Sequence, residues 1–294
     1  MSYLHLALLV FINALWGFNF LAGKIGTEQF GPLLFSAIRF AVVLLLLFPF
    51  IRLVRGQMGL IILIGLCLGA GHYSIMFYAL YLGDNISSLA IAAQLTVPFS
   101  TILAIIFLSE RIRFIRVFAI AVSFLGVVVI SFEPMGPEHL VAMAAATVAA
   151  LVMAVAAILM RRLQGVGVFN LQGWIALVST LVLALLSWAI ESPGIDTFTG
   201  MTIIDFWTPV YSAIGATIIG HGSLYYLLQR YEVNSVAPFI TLSTLFAIGY
   251  SIVLMDDVLT LKIIVGGMLT LLGVTIIALR NARQSTPTSL RVPR

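Results

Sequence analysis

Apolar residues follow one another along this chain in stretches of roughly twenty, the length at which a helix crosses a bilayer. Short clusters of Gly, Pro and charged residues separate the stretches. The pattern predicts ten helical spans, at 4–24, 32–51, 58–81, 86–108, 114–132, 138–160, 168–190, 207–229, 234–254 and 260–280. The runs are too long for strands, and the ten-residue alternation of a membrane barrel is missing. The first run, Leu4 to Leu21, has no basic flank before it and no small-residue cleavage site after it. It reads as the first span rather than as a signal peptide. The loops are short, so little chain is left for a domain outside the membrane.

Charge placement supports the count. With the even-numbered loops and the C-terminal tail on one side, that side holds Arg52, Arg55, Arg111, Arg113, Arg116, Arg161, Arg162, Arg230, Arg280, Arg283, Arg291 and Arg294. The odd-numbered loops hold Lys24 and Lys262, and most acidic residues from Glu28 to Asp257. Twelve basic residues against two is a strong positive-inside bias, so both termini are expected in the cytoplasm. A miscount by one span would scramble the sorting.

Composition narrows the classes further. The chain of 294 residues is 62% hydrophobic and 9% charged, with mean hydropathy +1.15, against about 25% charged residues in a soluble domain. Its net charge of +4 is accounted for by topology signals, and no nucleic-acid partner is expected. The single cysteine, Cys67, rules out a disulfide framework or a thiolate metal cluster. No Walker P-loop occurs, so ATP hydrolysis is not the drive, and neither a metal nor another cofactor is expected.

The two halves repeat each other. LAIAAQLTVPFSTILAIIFLSERIRFIRVFAIAVSFLGVVVI, residues 89 to 130, matches VAPFITLSTLFAIGYSIVLMDDVLTLKIIVGGMLTLLGVTII, residues 236 to 277. Ala90 falls on Ala237, Glu110 on Asp257 and Gly126-Val127 on Gly273-Val274, at a constant offset of 147. GHYSIMFYAL (71–80) matches GHGSLYYLLQ (220–229) with a two-residue slip. A repeat unit of five spans must enter the membrane upside down in its second copy. Inverted repeats of this kind let two halves rock about a midplane site, which is a transporter architecture. The expected fold is therefore all-α and integral to the membrane: ten helices as two inverted five-helix repeats, 1–134 and 135–281, with a cytoplasmic tail at 282–294.

Three segments, ALWGFNFLAGKIG (14–26), GPLLFSAIRF (31–40) and VPFSTILAIIFLSERI (97–112), carry a resemblance to the drug/metabolite transporter superfamily, in the branch built of two EamA-like repeats. The resemblance runs to about residue 281 and looks nearest to the aromatic amino acid exporters. It implies a transporter of small metabolites. In the second copy Leu245 stands where a proline matching Pro98 is expected, and Asp257 where a glutamate is usual. The halves are thus expected to bend differently.

Polar and ionisable groups at membrane depth mark the candidate site. His72 in span 3 and His221 in span 8 occupy matching places and are expected on opposite walls of one cavity, to bond substrate or carry a proton. The steps Gly65, Gly69, His72, Met76 and Ser212, Ala216, Gly220, then His221 and Tyr225, put small and polar residues on one helical face. Trp16 is too far from either end of span 1 to anchor at the interface, and with Phe20, Tyr73, Tyr78 and Tyr225 it suggests an aromatic wall. Pro98 should free the carbonyl of Gln94 and kink span 4, with Thr241 the repeat mate of Gln94. The expected substrate-binding set is Trp16, Phe20, His72, Tyr73, Met76, Tyr78, Gln94, Pro98, His221, Tyr225 and Thr241. Arg39 is expected to snorkel outward and bond helix carbonyls. Glu110 reads as a loop salt bridge or gate latch, and Ala142, Ala146, Ala150 and Ala154 as a packing seam.

No Asp or Glu falls mid-span, which disfavours a carboxylate proton relay. The reading is a non-enzymatic secondary transporter that exports amino acids, aromatic ones among them, or related metabolites across a bacterial inner membrane. It would work by alternating access, facilitative or weakly proton-coupled, as a monomer whose partners are a small-molecule substrate and the lipid bilayer. An importer or channel for another metabolite or drug, or an intramembrane enzyme, stays open at this point.

Overall fold

The computed structural model describes residues 2–108, 114–231 and 236–284. They form a bundle of helices: α1 (Tyr3–Phe30), α2 (Pro32–Phe50, its last turn 3₁₀), α3 (Met58–Leu82), α4 (Ile86–Phe107), α5 (Phe114–Ser131), α6 (Pro137–Met160), α7 (Val168–Ile190), α8 (Ile203–Leu228), α9 (Phe239–Met255) and α10 (Leu261–Gln284). Among the described residues there is no strand. Nine of the helices are long and apolar enough to cross a membrane, and α9 is shorter. Large apolar side chains such as Leu185 (67% exposed) and Val253 (75%) stand on the outside of helices, where lipid is their solvent. Glu110 lies outside the described residues.

Capping residues start the helices where the sequence placed them. Ser2 accepts from His5 N and Asn85 accepts from Ser88 N, satisfying orphan amides at the first turns of α1 and α4. Pro32 and Pro137 open α2 and α6, where a missing N–H costs nothing, behind Gly31 (φ 84°) and Gly136 (φ 99°). One boundary differs. α1 runs past Lys24, expected in a loop, and through Gly26 to Phe30, ending at the Gly31-Pro32 pair. Lys24 is only 6% exposed; it pairs with Glu28 one turn on at 2.9 Å and donates to Tyr81 O.

Pro98 shapes α4, though not as expected. The helix breaks into Ile86–Ala93 and Thr96–Leu108 around Gln94 and Leu95. Proline cannot donate to the Gln94 carbonyl, but Val97 N takes its place at 3.1 Å. The carbonyl is therefore bonded rather than free, and the chain tightens into one 3₁₀-like turn. In the second half Leu245 sits within a continuous α-helix, Leu242–Met255, yet a 3₁₀ turn, Ala237–Thr241, precedes it. Thr241 is the repeat mate of Gln94, so the irregularity falls at the same place without a matching proline.

Helix pairing follows the inverted repeat. α5 packs along α10 and α2 along α7, each pair joining a helix to its own mate. α1 packs on α9 as α4 packs on α6, and α1 on α8 as α3 on α6, so each contact has an image in the other half. At the α5–α10 crossing a methyl group on Gly126 would collide with Gly266 O and Thr270, and one on Gly273 with Ala119 O and Ser123. Gly126 and Gly273 are mates, as are Ala119 and Gly266, and Ser123 and Thr270. The backbones touch symmetrically across the crossing. The seam Ala142, Ala146, Ala150 and Ala154 is fully buried, and packing is its role.

A buried cation between two matched histidines

Two π-helical segments frame the centre of the bundle: Gly65–His72 in α3 and Ser212–His221 in α8. Each ends on the histidine that the repeat alignment pairs. A π segment bonds i to i+5, which leaves carbonyls open to side chains, and such segments recur at functional sites. His72 Nδ1 lies 2.9 Å from Ala149 O of α6. His221 Nδ1 lies 3.2 Å from both Ala216 O and Thr217 O in its own helix. A carbonyl only accepts, so in each neutral ring Nδ1 carries the proton and Nε2 is the acceptor. Ala216 O also takes the Trp16 indole N–H at 2.9 Å, and the Trp16 and His221 rings stand 5.4 Å apart. Gly220 makes room for that indole, which a methyl there would strike.

Between the histidines sits Arg39, seven residues or about 10 Å into α2 from Pro32. It is 1% exposed and touches a neighbour of each ring: Tyr73, which follows His72, and Thr217, one turn before His221. Its Nη2 donates to Thr217 Oγ1 at 2.8 Å. Its guanidinium lies 4.0 Å from the centroid of Tyr73, 5.0 Å from Phe40 and 5.5 Å from Phe77. Nε and Nη1 have no acceptor, and among the described residues no carboxylate pairs with it. Burying an unpaired charge costs several kcal/mol, and a desolvated cation–π contact returns about 2 kcal/mol. The rings offset the charge without supplying a counter-ion or an in-plane acceptor for Nε and Nη1. Snorkelling, the expectation for Arg39, is contradicted: Tyr73, Phe40 and Phe77 close over the side chain instead of leaving it a path to an interface.

Of the expected site residues, Trp16, His72, Tyr73 and His221 gather around Arg39. Phe20 and Met76 belong to the packed core beside Phe77 and Leu80, Met76 only 5% exposed. Tyr78 is 45% exposed and lines a groove with Phe30, Ser74 and Glu191. Six residues beyond His72, it lies about 240° round the helix. Tyr225 is 41% exposed, in a last turn of α8 where Leu227 is the one buried residue. Gln94 and Pro98 lie in α4 and Thr241 in α9, helices that pack on each other. There Gln94 Nε2 donates to Thr244 Oγ1, and Asn13 of α1 accepts from Ser243 N at 3.1 Å. Arg39 is the central residue that sequence reasoning set aside. Its signal was available: with no acid in mid-span, a basic residue there has no counter-charge.

The profile of the EamA-like transporter family matches residues 4–132 and 140–279. A Salmonella typhimurium protein named "Probable amino-acid metabolite efflux pump" is 31% identical over 92% of this chain and 93% of its own length. An Escherichia coli protein of the same name is 25% identical with the same coverage. A crystal structure of a protein 19% identical superposes with a TM-score of 0.63, covering 98% of this chain and all of the other, and shows the same fold.

Proposed function

The chain belongs to the EamA-like transporter family, and from that premise we propose that it exports amino acids, aromatic ones among them, or related small metabolites by alternating access. The observation that carries the reading is the pair of repeat-matched histidines on either side of a buried cation. Both rings present Nε2 as an acceptor, which suits a substrate ammonium. Trp16 and Tyr73, both partly exposed, offer ring surface to an apolar or aromatic side chain. The names of the two bacterial relatives point the same way.

The units proposed to rock are the two repeats, 1–134 and 135–281, which the inverted symmetry relates. A mid-span acid is missing from the sequence, which favours facilitated or weakly coupled movement. The protein acts as a carrier rather than a catalyst: two histidines without an oriented nucleophile do not make an active site. The arginine-rich end and both termini face the cytoplasm of a bacterial inner membrane, and the α1–α2 loop faces outward. Cells preloaded with labelled amino acids test the proposal. Those expressing the protein lose at least one label faster than vector controls. Equal loss across the amino-acid panel sinks it.

A further inference from the structure

Among the described residues no carboxylate neutralises the charge of Arg39, and its Nε and Nη1 find no acceptor. We infer that Arg39 is the receptor for the substrate's carboxylate, and that the transported solutes are those with a free carboxylate group. This rests on the transporter reading above and names the chemistry its site selects.

A guanidinium carries five N–H donors, and Nε and Nη1, the two nitrogens without an acceptor, bear three of them. An arginine that only fastened helices would spend these on carbonyls. Here one bond, to the Thr217 hydroxyl, fixes the group's orientation and leaves the remaining edges unused. The Tyr73 ring backs one face of the plane, so a partner must approach in the plane of the fork, the geometry that a carboxylate meets. The surroundings select against other anions. The nearby rings of Phe40, Tyr73 and Phe77 leave one cation to meet one charge, which fits a monoanion better than a doubly charged phosphate ester. The acceptor nitrogens of His72 and His221 flank the same cation, so a zwitterion finds both of its ends satisfied.

Thermal unfolding of the purified, detergent-solubilised protein tests this without requiring transport. The probes are amino acids, simple 2-oxo acids and aromatic carboxylates, the amides of each, and inorganic phosphate. The expected result is that at least one carboxylate raises the unfolding temperature of the wild type while its amide at equal concentration does not. Arg39→Gln abolishes the shift, and Arg39→Lys, which keeps the charge without the fork, weakens apparent affinity about tenfold. The acid-against-amide comparison is made on the wild type, so it stands even if Arg39→Gln fails to fold. The inference is overturned if acid and amide stabilise equally, if no carboxylate stabilises, if phosphate alone does, or if Arg39→Gln responds like the wild type. Stabilisation by carboxylates other than amino acids would leave Arg39 as the receptor and remove the amino-acid reading.

Discussion

At the residue scale the site is held by bonds that fix ring orientation. His72 Nδ1 is committed to Ala149 O on another helix, and His221 Nδ1 to carbonyls of its own π segment. Replacing either ring by alanine removes one acceptor from beside Arg39 and leaves the helix backbone in place. A hydrogen bond to a charged group contributes about 1.5–3 kcal/mol, so His72→Ala and His221→Ala should each weaken substrate affinity by about tenfold or more. Substrate-concentration dependence of efflux at matched expression checks this, and unchanged affinity in both variants would remove the histidines from the pathway. Trp16, Tyr73 and both histidines were legible because a polar or amphipathic side chain at membrane depth needs a reason. Met76 packs in the core beside Phe77, and helical spacing alone does not tell a core position from a cavity-facing one. Arg39 was misjudged because depth along a helix says nothing of which neighbours close over it.

Helix ends show how the elements are tied together. α2 begins at Pro32 behind Gly31, which has no side chain to cap it. Glu191 at the end of α7 supplies the acceptors instead, taking Leu33 N at 2.7 Å and Leu34 N at 2.8 Å while Ser187 donates to it. Asp257 does the same for α4, accepting from Ser87 N at 3.0 Å and Ser87 Oγ at 3.1 Å. Each carboxylate sits on the favourable pole of a helix dipole and joins the first half of the chain to the second. Glu191→Ala should cost about 2 kcal/mol, read as a clear drop in unfolding temperature, and Glu191→Gln should cost less. No drop for the alanine variant would mean that water replaces the cap. Span boundaries were largely legible from apolar runs and caps. The overrun of α1 past Lys24 was not, because a lysine with a partner one turn away can stay inside a helix. The bonded Gln94 carbonyl needed the observed 3₁₀ geometry to be seen.

For the whole molecule the inverted repeat is the organising fact, and a constant offset of 147 residues already carried it in the sequence. The structure adds that the α5–α10 crossing maps onto itself, Gly126 against Gly266 and Gly273 against Ala119. The backbones leave no room there for a side chain. Gly126→Leu and Gly273→Leu should each sharply reduce the folded fraction. Gly249→Ala, with nothing within 4 Å of its position, should be neutral. Monodispersity of the detergent-purified variants on a sizing column checks this, and normal folding of both leucine variants would show that the crossing is not tight. The two halves are proposed to move around a central site to carry amino acids. The decisive measurement is uptake of a radiolabelled amino-acid panel into liposomes holding the purified protein, with and without an imposed pH gradient. Saturable uptake of at least one amino acid, little changed by the gradient, is expected. Uptake no greater than into protein-free liposomes for every amino acid would contradict it.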